Sequence, residues 1–256
     1  MTERIGVCAY TCICLEDVGW VPQYLAEAKR LGLHYGVYMD RCRPEDDVCL
    51  EEMAKNHLCV GVTMRSPRRR GLLAEFRETD QQYVLDLVRD YRWGQYHKFG
   101  FRWALSWDTD ETFERDAAGK LLELGRRNDV CLKLPFVVAW DESSRIRVNS
   151  PFSTGEAWKH AAYNLGTGGA WRFVDAAVKG PKLYPRGRRR GPARVEAECF
   201  NLMKIHWGYM TEELRRFHKE RWDRIYGAVV GKNPYGLWDF LLDPAYPAET
   251  AENPYL

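Results

Sequence analysis

The chain has 256 residues, 45% of them hydrophobic, with 38 basic against 36 acidic side chains and a formal net charge of +2. Such a chain buries one substantial core, and its near-balance of charge argues against a protein that holds nucleic acid by bulk charge alone. No apolar run approaches the ~20 residues that span a bilayer, and Met1-Thr2-Glu3-Arg4 leads into a short strand rather than a signal peptide, so a cytoplasmic protein is expected. The eight cysteines include no Cys-x-x-Cys pair. They lie mainly in apolar runs such as Gly6-Val7-Cys8-Ala9-Tyr10, where Cys packs as a small hydrophobe, and Cys12-x-Cys14 is half a zinc spacing without its other half. Reduced structural thiols are expected.

Ile5 to Tyr10 reads as a first buried strand. After a Cys-rich turn, Val21, Tyr24, Leu25, Ala28 and Leu31 recur at helical spacing, and Gly32 follows as a stop. His34 to Asp40 reads as a second strand that ends on an acid. Strand, helix, strand is a βαβ unit, which makes the two strands parallel with their C-terminal ends on one side. Arg41 to Asp47 is a charged loop, Val48 to Lys55 a short helix, and Leu58 to Met64 a third strand. Arg65, Arg68, Arg69 and Arg70 then form a basic knot. Leu72 to Tyr91 is a long amphipathic segment with Phe76, Tyr83, Leu85, Leu87 and Val88 on its buried face.

Phe101, Trp103, Leu105 and Trp107 alternate with smaller or polar residues, the period of a strand, and the run stops at Asp108, Asp110 and Glu111. In an open α/β sheet, loops at the C-terminal strand ends converge on the ligand crevice. In extended geometry Asp108 and Asp110 fall on one face, where they can serve one divalent cation, or one cation plus a ribose. The alternative is a solvated acidic turn ahead of a helix, with Asp or Thr as N-cap and Glu111 in the first turn. No Gly-x-Gly-x-x-Gly follows the first strand and no Gly-x-x-x-x-Gly-Lys-[Ser/Thr] occurs anywhere, so phosphate needs another holder, a metal.

Phe113 to Gly125 is predicted helical, Val130 to Trp140 a strand, Asp141 to Ser144 its turn and Ile146 to Val148 the start of the return strand. Trp158 to Leu165 reads as a further strand, turned by Gly166 to Gly169. This half reads as antiparallel and irregular. No acidic residue stands between Lys179 and Arg194. There Arg186, Arg188, Arg189, Arg190 and Arg194 form a second basic knot, either a solvated loop or a phosphate contact. Thr211 caps a predicted helix from Glu212 to Tyr226, acidic at its start and basic later, with Gly227 after it. The tail from Lys232 holds Pro234, Pro244, Pro247 and Pro254 and reads as an extended surface strap. No internal repeat is visible.

The strand end Trp103-Ala104-Leu105-Ser106-Trp107-Asp108-Thr109-Asp110-Glu111 resembles the metal-binding strand of GT-A-fold nucleotide-sugar glycosyltransferases of the family 2 type. Ile205-His206-Trp207-Gly208-Tyr209-Met210-Thr211-Glu212-Glu213-Leu214-Arg215 is similar to the His-x-Gly-Tyr-x-Thr-x-Glu segment that follows the acceptor half in bacterial and phage members. The order of elements agrees from Ile5 to Tyr226, while Tyr38-Met39-Asp40-Arg41-Cys42 departs from that family's Asp-Gly-Ser turn. The resemblance implies an α/β, GT-A-like fold: a Rossmann-like mixed central sheet flanked by helices, with an irregular acceptor-side half. It implies one catalytic domain over 1–231, with a nucleotide-sugar half over 1–111 and an acceptor half over 112–231, and a tail over 232–256. It further implies a UDP- or GDP-linked donor, Mn²⁺ or Mg²⁺, inverting transfer, and the host cytoplasm if the chain is phage-encoded.

By the same resemblance, Asp110 ligates the metal, Asp108 holds ribose or a metal-bound water, Asp40 and Tyr10 face the nucleotide, and His206 completes the coordination. The chemistry is coherent, because breaking an anomeric C–O bond leaves a nucleoside diphosphate whose charge a divalent cation stabilises. Hard oxygen ligands suit Mg²⁺ or Mn²⁺, and Mn²⁺ tolerates imidazole. Apart from the resemblance, a lone His before a Trp is more often packed than ligating. Asp141 and Glu142 are candidates for the general base on the acceptor hydroxyl. His160 is a polar residue in an apolar strand, and His218 reads as surface. Trp158 and Trp171 stack on a sugar or base, or pack in the core.

Arg188, Arg189 and Arg190 suit the phosphates of a polynucleotide, which points to a phage-type enzyme glycosylating a hydroxylated, flipped-out base in DNA. A protein or glycan acceptor is the alternative. Two other classes stay open: a non-catalytic nucleic-acid-binding α/β protein that uses the Arg knots, and a metal-dependent nuclease or phosphatase on Asp108 and Asp110, for which carboxylates are few.

Overall fold

A computed structural model of the protein describes residues 6–13, 15–39, 47–64, 99–149, 158–166, 169–172, 182–185, 193–194, 197–220, 241–242, 244–245 and 247–256. These form a mixed α/β fold whose chain divides into two compact units, one of residues 1–110, 116–133 and 160–200, the other of 111–115, 134–159 and 201–256. The described strands are β1 Val7–Ile13, β2 His34–Met39, β3 Cys59–Met64, β4 Trp103–Ser106, β5 Glu111–Phe113, β6 Cys131–Val138, β7 Ile146–Arg147, β8 Trp158–Asn164, β9 Gly169–Arg172, β10 Lys182–Pro185, β11 Ala193–Arg194, β12 Glu198–Cys199, β13 Lys204–His206 and β14 Thr250–Ala251. The helices are α1 Val21–Leu31, α2 Asp47–Lys55, α3 Ala117–Arg126, and α4 over residues 212–220.

In the first unit β3, β2, β1 and β4 lie side by side in that order and all parallel. The first two βαβ crossovers are those the sequence predicts. Val7, Cys8 and Ala9 are fully buried, as a central parallel strand covered on both faces requires. Helix α1 buries Val21, Tyr24, Leu25, Ala28 and Leu31, the positions its spacing marks, and adds Glu27, whose carboxylate takes two hydrogen bonds from Arg30 at 2.6 and 2.7 Å. Trp107 stacks on Tyr24 with ring centroids 3.9 Å apart, and Tyr24 meets Tyr35 edge-on at 5.3 Å. An aromatic row therefore runs from the end of β4 through α1 to β2. Against the start of β1 lies α3, so closely that a Cβ on Gly125 would stand 3.1 Å from the Gly6 nitrogen. Antiparallel to β4, β8 sets Asn164 opposite Trp103, and β9, β10 and β11 form a separate antiparallel sheet.

Gly32 ends α1 at φ +61 with nothing within 4 Å of a Cβ, so its requirement is purely the left-handed backbone. Gly32→Ala is expected to cost about 1–2 kcal/mol for that conformation. Gly32→Asn should lose less, because Asn visits the left-handed region more readily. Urea denaturation of the three proteins checks the order.

In the second unit β13 lies between β6, to which it is parallel, and β5, to which it is antiparallel. The expectation of an antiparallel half is thus corrected to a mixed one. The predicted helix from Phe113 is corrected too, since Glu111–Phe113 is strand and the helix starts only at Ala117. Glu111 and Phe113 are both buried with Thr112 between them half-buried, which is the two-residue period of a strand. At the end of β6 the predicted turn is present: Trp140 N–H donates to Arg145 O at 2.7 Å, and Ser144 takes φ 62. The last residues of the chain are built into this unit. Strand β14 pairs with β7, Leu241 is buried with Val138 and Tyr209, and Tyr255 packs on the cluster of Val137, Met203 and Ile205. No described helix is long and apolar enough to cross a membrane.

Candidate functional site

Between β1 and β4 the strand order reverses, the place where open parallel α/β sheets accept ligands beyond their C-terminal ends. Tyr10 is in register with Ser106, and Trp107 N–H donates to Tyr10 O at 3.0 Å. The pairing of these two strands carries the chain directly to Asp108. From there it leaves extended geometry, and Thr109 and Asp110 make a turn. The two carboxylates are therefore presented by a turn and not by strand alternation. Asp108 is half-buried, while Thr109 and Asp110 are 2% and 9% exposed. A solvated acidic cap ahead of a helix does not describe them, because they are largely withdrawn from water and lead into β5. Tyr10 itself is buried.

In the second unit Glu111 forms a fully buried ion pair with Lys204. The pair joins β5 to β13, with Lys204 opposite Phe113, Ile205 opposite Thr112 and His206 opposite Glu111. Trp207 Nε1 donates to Thr112 Oγ1 at 2.8 Å, extending the tie past the strand end. His206 is the last residue of β13. Its Nδ1 accepts the Gly208 N–H at 3.0 Å, and its ring stacks on Tyr209 at 4.7 Å with the planes 14° apart. His218, expected at the surface, is half-buried and meets Tyr209 edge-on at 4.9 Å. Thr211 caps α4 as predicted, its Oγ1 accepting the Leu214 N–H at 3.2 Å.

Arg215, one turn into α4, donates through Nη1 to the carbonyls of Trp140, Tyr209 and Met210 at 3.0, 2.8 and 3.2 Å. Its guanidinium lies 4.4 Å from the Trp140 ring centroid, and that of Arg147 lies 4.5 Å from the same ring. Burial, and for Arg147 the neighbouring Arg215 as well, lowers both guanidinium pKa values, while Glu212 and Asp141 oppose the shift at Arg215. Neither this cluster nor the Glu111–Lys204 pair is among the residues singled out from the sequence. The available signal was a cation at an apolar strand position, Lys204 between Met203 and Ile205 and Arg147 after Ile146.

Asp141 and Glu142 sit in the hairpin turn. The Asp141 carboxylate accepts the Arg145 N–H at 3.1 Å and is thereby used in the turn, while Glu142 is exposed. Trp158, His160 and Trp171 lie on β8 and β9. Asp40 and the arginines at 65, 68, 69, 70, 186, 188, 189 and 190 lie outside the described residues. Among the described cysteines, Cys8, Cys49, Cys59, Cys131 and Cys199 are free thiols, and burial pushes that of Cys131 up to about 12.

Among the described residues no group of three or more His, Cys, Asp and Glu is gathered to hold a metal ion. Asp108 and Asp110 fit a different arrangement, in which Mg²⁺ or Mn²⁺ takes one or two carboxylates and completes its shell with ligand phosphates and water.

No family model and no curated protein matches the sequence. Among solved structures the chain is similar to the mannosyltransferase Ktr4p from S. cerevisiae, at 8% identity over 58% of this chain and 43% of that one, with a TM-score of 0.30. The same mannosyltransferase in complex with GDP aligns at 8% identity over 58% of this chain and 44% of that one, with a TM-score of 0.27. The chain spans less than half of that protein, and at this identity and score the likeness decides neither substrate nor activity.

Proposed function

We propose that the protein is a glycosyltransferase that moves a sugar from a UDP- or GDP-linked donor to an acceptor hydroxyl, with Asp108 and Asp110 at the donor diphosphate. The observation that carries this reading is the position of the Asp-x-Asp turn, which leaves the sheet at the reversal of strand order between β1 and β4. Asp108 and Asp110 would hold Mg²⁺ or Mn²⁺ together with the donor's own oxygens, and such a cation would supply positive charge at the leaving diphosphate. The low exposure of Asp110 strengthens its field at that position, since water screens it little. Asp141 or Glu142 takes the proton of the acceptor hydroxyl in an inverting displacement.

The test is thermal unfolding with UDP, GDP and Mn²⁺, separately and together. A nucleotide with Mn²⁺ is expected to raise the midpoint more than Mn²⁺ alone, because the two bind the folded state jointly. No shift with either nucleotide at millimolar concentration overturns the reading.

For the acceptor we propose a hydroxylated base in DNA, supported by Arg188, Arg189 and Arg190 within a stretch free of acids. Replacing all three by Ser should flatten the salt dependence of DNA binding by about 0.9 log units for each phosphate no longer neutralised, while donor hydrolysis stays unchanged. Equal DNA binding by the two proteins at low salt transfers the proposal to a protein or glycan acceptor. DNA binding with no nucleotide-dependent stabilisation would instead favour a non-catalytic nucleic-acid-binding protein.

A further inference from the structure

Arg215 is held through one nitrogen of its guanidinium. Nη1 donates to the carbonyls of Trp140, Tyr209 and Met210 at 3.0, 2.8 and 3.2 Å, and the guanidinium carbon lies 4.4 Å from the centroid of the Trp140 ring. Three acceptors on one nitrogen and an aromatic ring against the group fix its orientation. The other edge, formed by Nε–H and Nη2–H, meets no acceptor among the described residues. These two donors run parallel, the fork that matches two oxygens of one carboxylate or phosphate.

The charge here is short of a counterion. Arg215 is half-buried and makes no ion pair among the described residues, while Arg147, 1% exposed, sets a second guanidinium 4.5 Å from the same ring. The fields of Glu212 and Asp141 reach Arg215, but each carboxylate is engaged elsewhere. Glu212 pairs with Arg216 at 2.8 Å, and Asp141 accepts the Arg145 N–H at 3.1 Å. Burial lowers the pKa of both guanidiniums, and at Arg147 the repulsion of Arg215 adds to it. Trp140, Arg147 and Arg215 all belong to the second unit, so the arrangement is complete within one compact body.

We propose that Arg215, set against Trp140, is an oxyanion site in which Nε–H and Nη2–H together take two oxygens of one carboxylate or phosphate group. Arg147 adds positive charge to the site, and Glu212 and Asp141 limit its affinity. Because the fork is already oriented, little side-chain freedom is lost when an anion arrives. The site is built from side chains of this unit alone and does not depend on the donor reading at Asp108 and Asp110.

The test uses the full-length protein labelled with ¹⁵N-arginine, titrated with inorganic phosphate and separately with acetate, at constant ionic strength in chloride. The Arg215 Nε–H signal, assigned by through-bond correlation to its own backbone, is expected to move saturably. Which anion binds more tightly tells a phosphate ligand from a carboxylate one. Glu212→Gln, at an exposed position, removes an opposing charge and should tighten binding about two- to fivefold. Arg215→Lys keeps the charge and three donors for the carbonyls but has no fork, so the rise in unfolding midpoint with the tighter anion over chloride should be smaller in it. An Arg215 signal that neither anion moves overturns the proposal, and so do equal midpoint rises in wild type and Arg215→Lys. If Arg215→Lys does not fold, Glu212→Gln decides, and binding that is unchanged or weaker in that variant overturns it.

Discussion

Asp110→Asn is expected to lower sugar transfer and donor hydrolysis by at least about 10²-fold, the effect of removing one charge-stabilising group from a preorganised site. The substitution preserves shape and removes one negative charge. Asp110 is 9% exposed and sits in a turn, and the isosteric amide keeps its volume there. The loss should appear in kcat as well as in donor affinity, because charge grows at the diphosphate in the transition state and the cation's hold on it is most needed there. Steady-state kinetics with and without Mn²⁺ separate the two effects. Unchanged Mn²⁺-dependent turnover in Asp110→Asn would remove this residue from the site and, with it, the reading of the β4 end as the donor crevice.

What the sequence could reveal about this fold depended on distance along the chain. Helix α1 was legible because each determinant is local: apolar residues at helical spacing and a glycine directly after the last of them. Strands β1 to β3 were legible from apolar runs between turn signals, and their parallel pairing followed from the lengths of the crossovers. The Asp-x-Asp turn was found as a motif, but its geometry was not, because where the strand stops is set by pairing with Tyr10 and not by the residues of the turn. Strand β5 was not legible because it is only three residues long, and the predicted helix started at its last residue, Phe113. The partner that lets Glu111 enter a core, Lys204, stands 93 positions away. The setting of His206 was hidden for a related reason. The motif marks the residue, whereas the direction of its hydrogen bond depends on how the backbone folds back at Gly208.

The Glu111–Lys204 pair carries the largest stability effect expected in the second unit. Both side chains are essentially without exposure, so replacing either alone leaves an unpaired charge in the core, which costs about 3–5 kcal/mol. Lys204→Met and Glu111→Gln should each lower the urea midpoint substantially, and one or both are expected to express as poorly folded protein. The double variant Glu111→Leu/Lys204→Met should behave differently. An ion pair in the core gains little over apolar side chains of similar volume once desolvation is counted, so the double variant is expected to recover most of the loss. Its role is then one of register. Along β5 and β13 a slip by one residue would bring a charged side chain to the wrong face, and a buried pair that matches in only one alignment excludes that slip. Removing both charges should preserve the unfolding midpoint while loosening the alignment of β13, which ends at His206. The double variant is therefore expected to stay folded, with faster amide exchange at Ile205 and His206. A double variant as unstable as the single ones would show instead that these two side chains contribute more than each other's neutralisation.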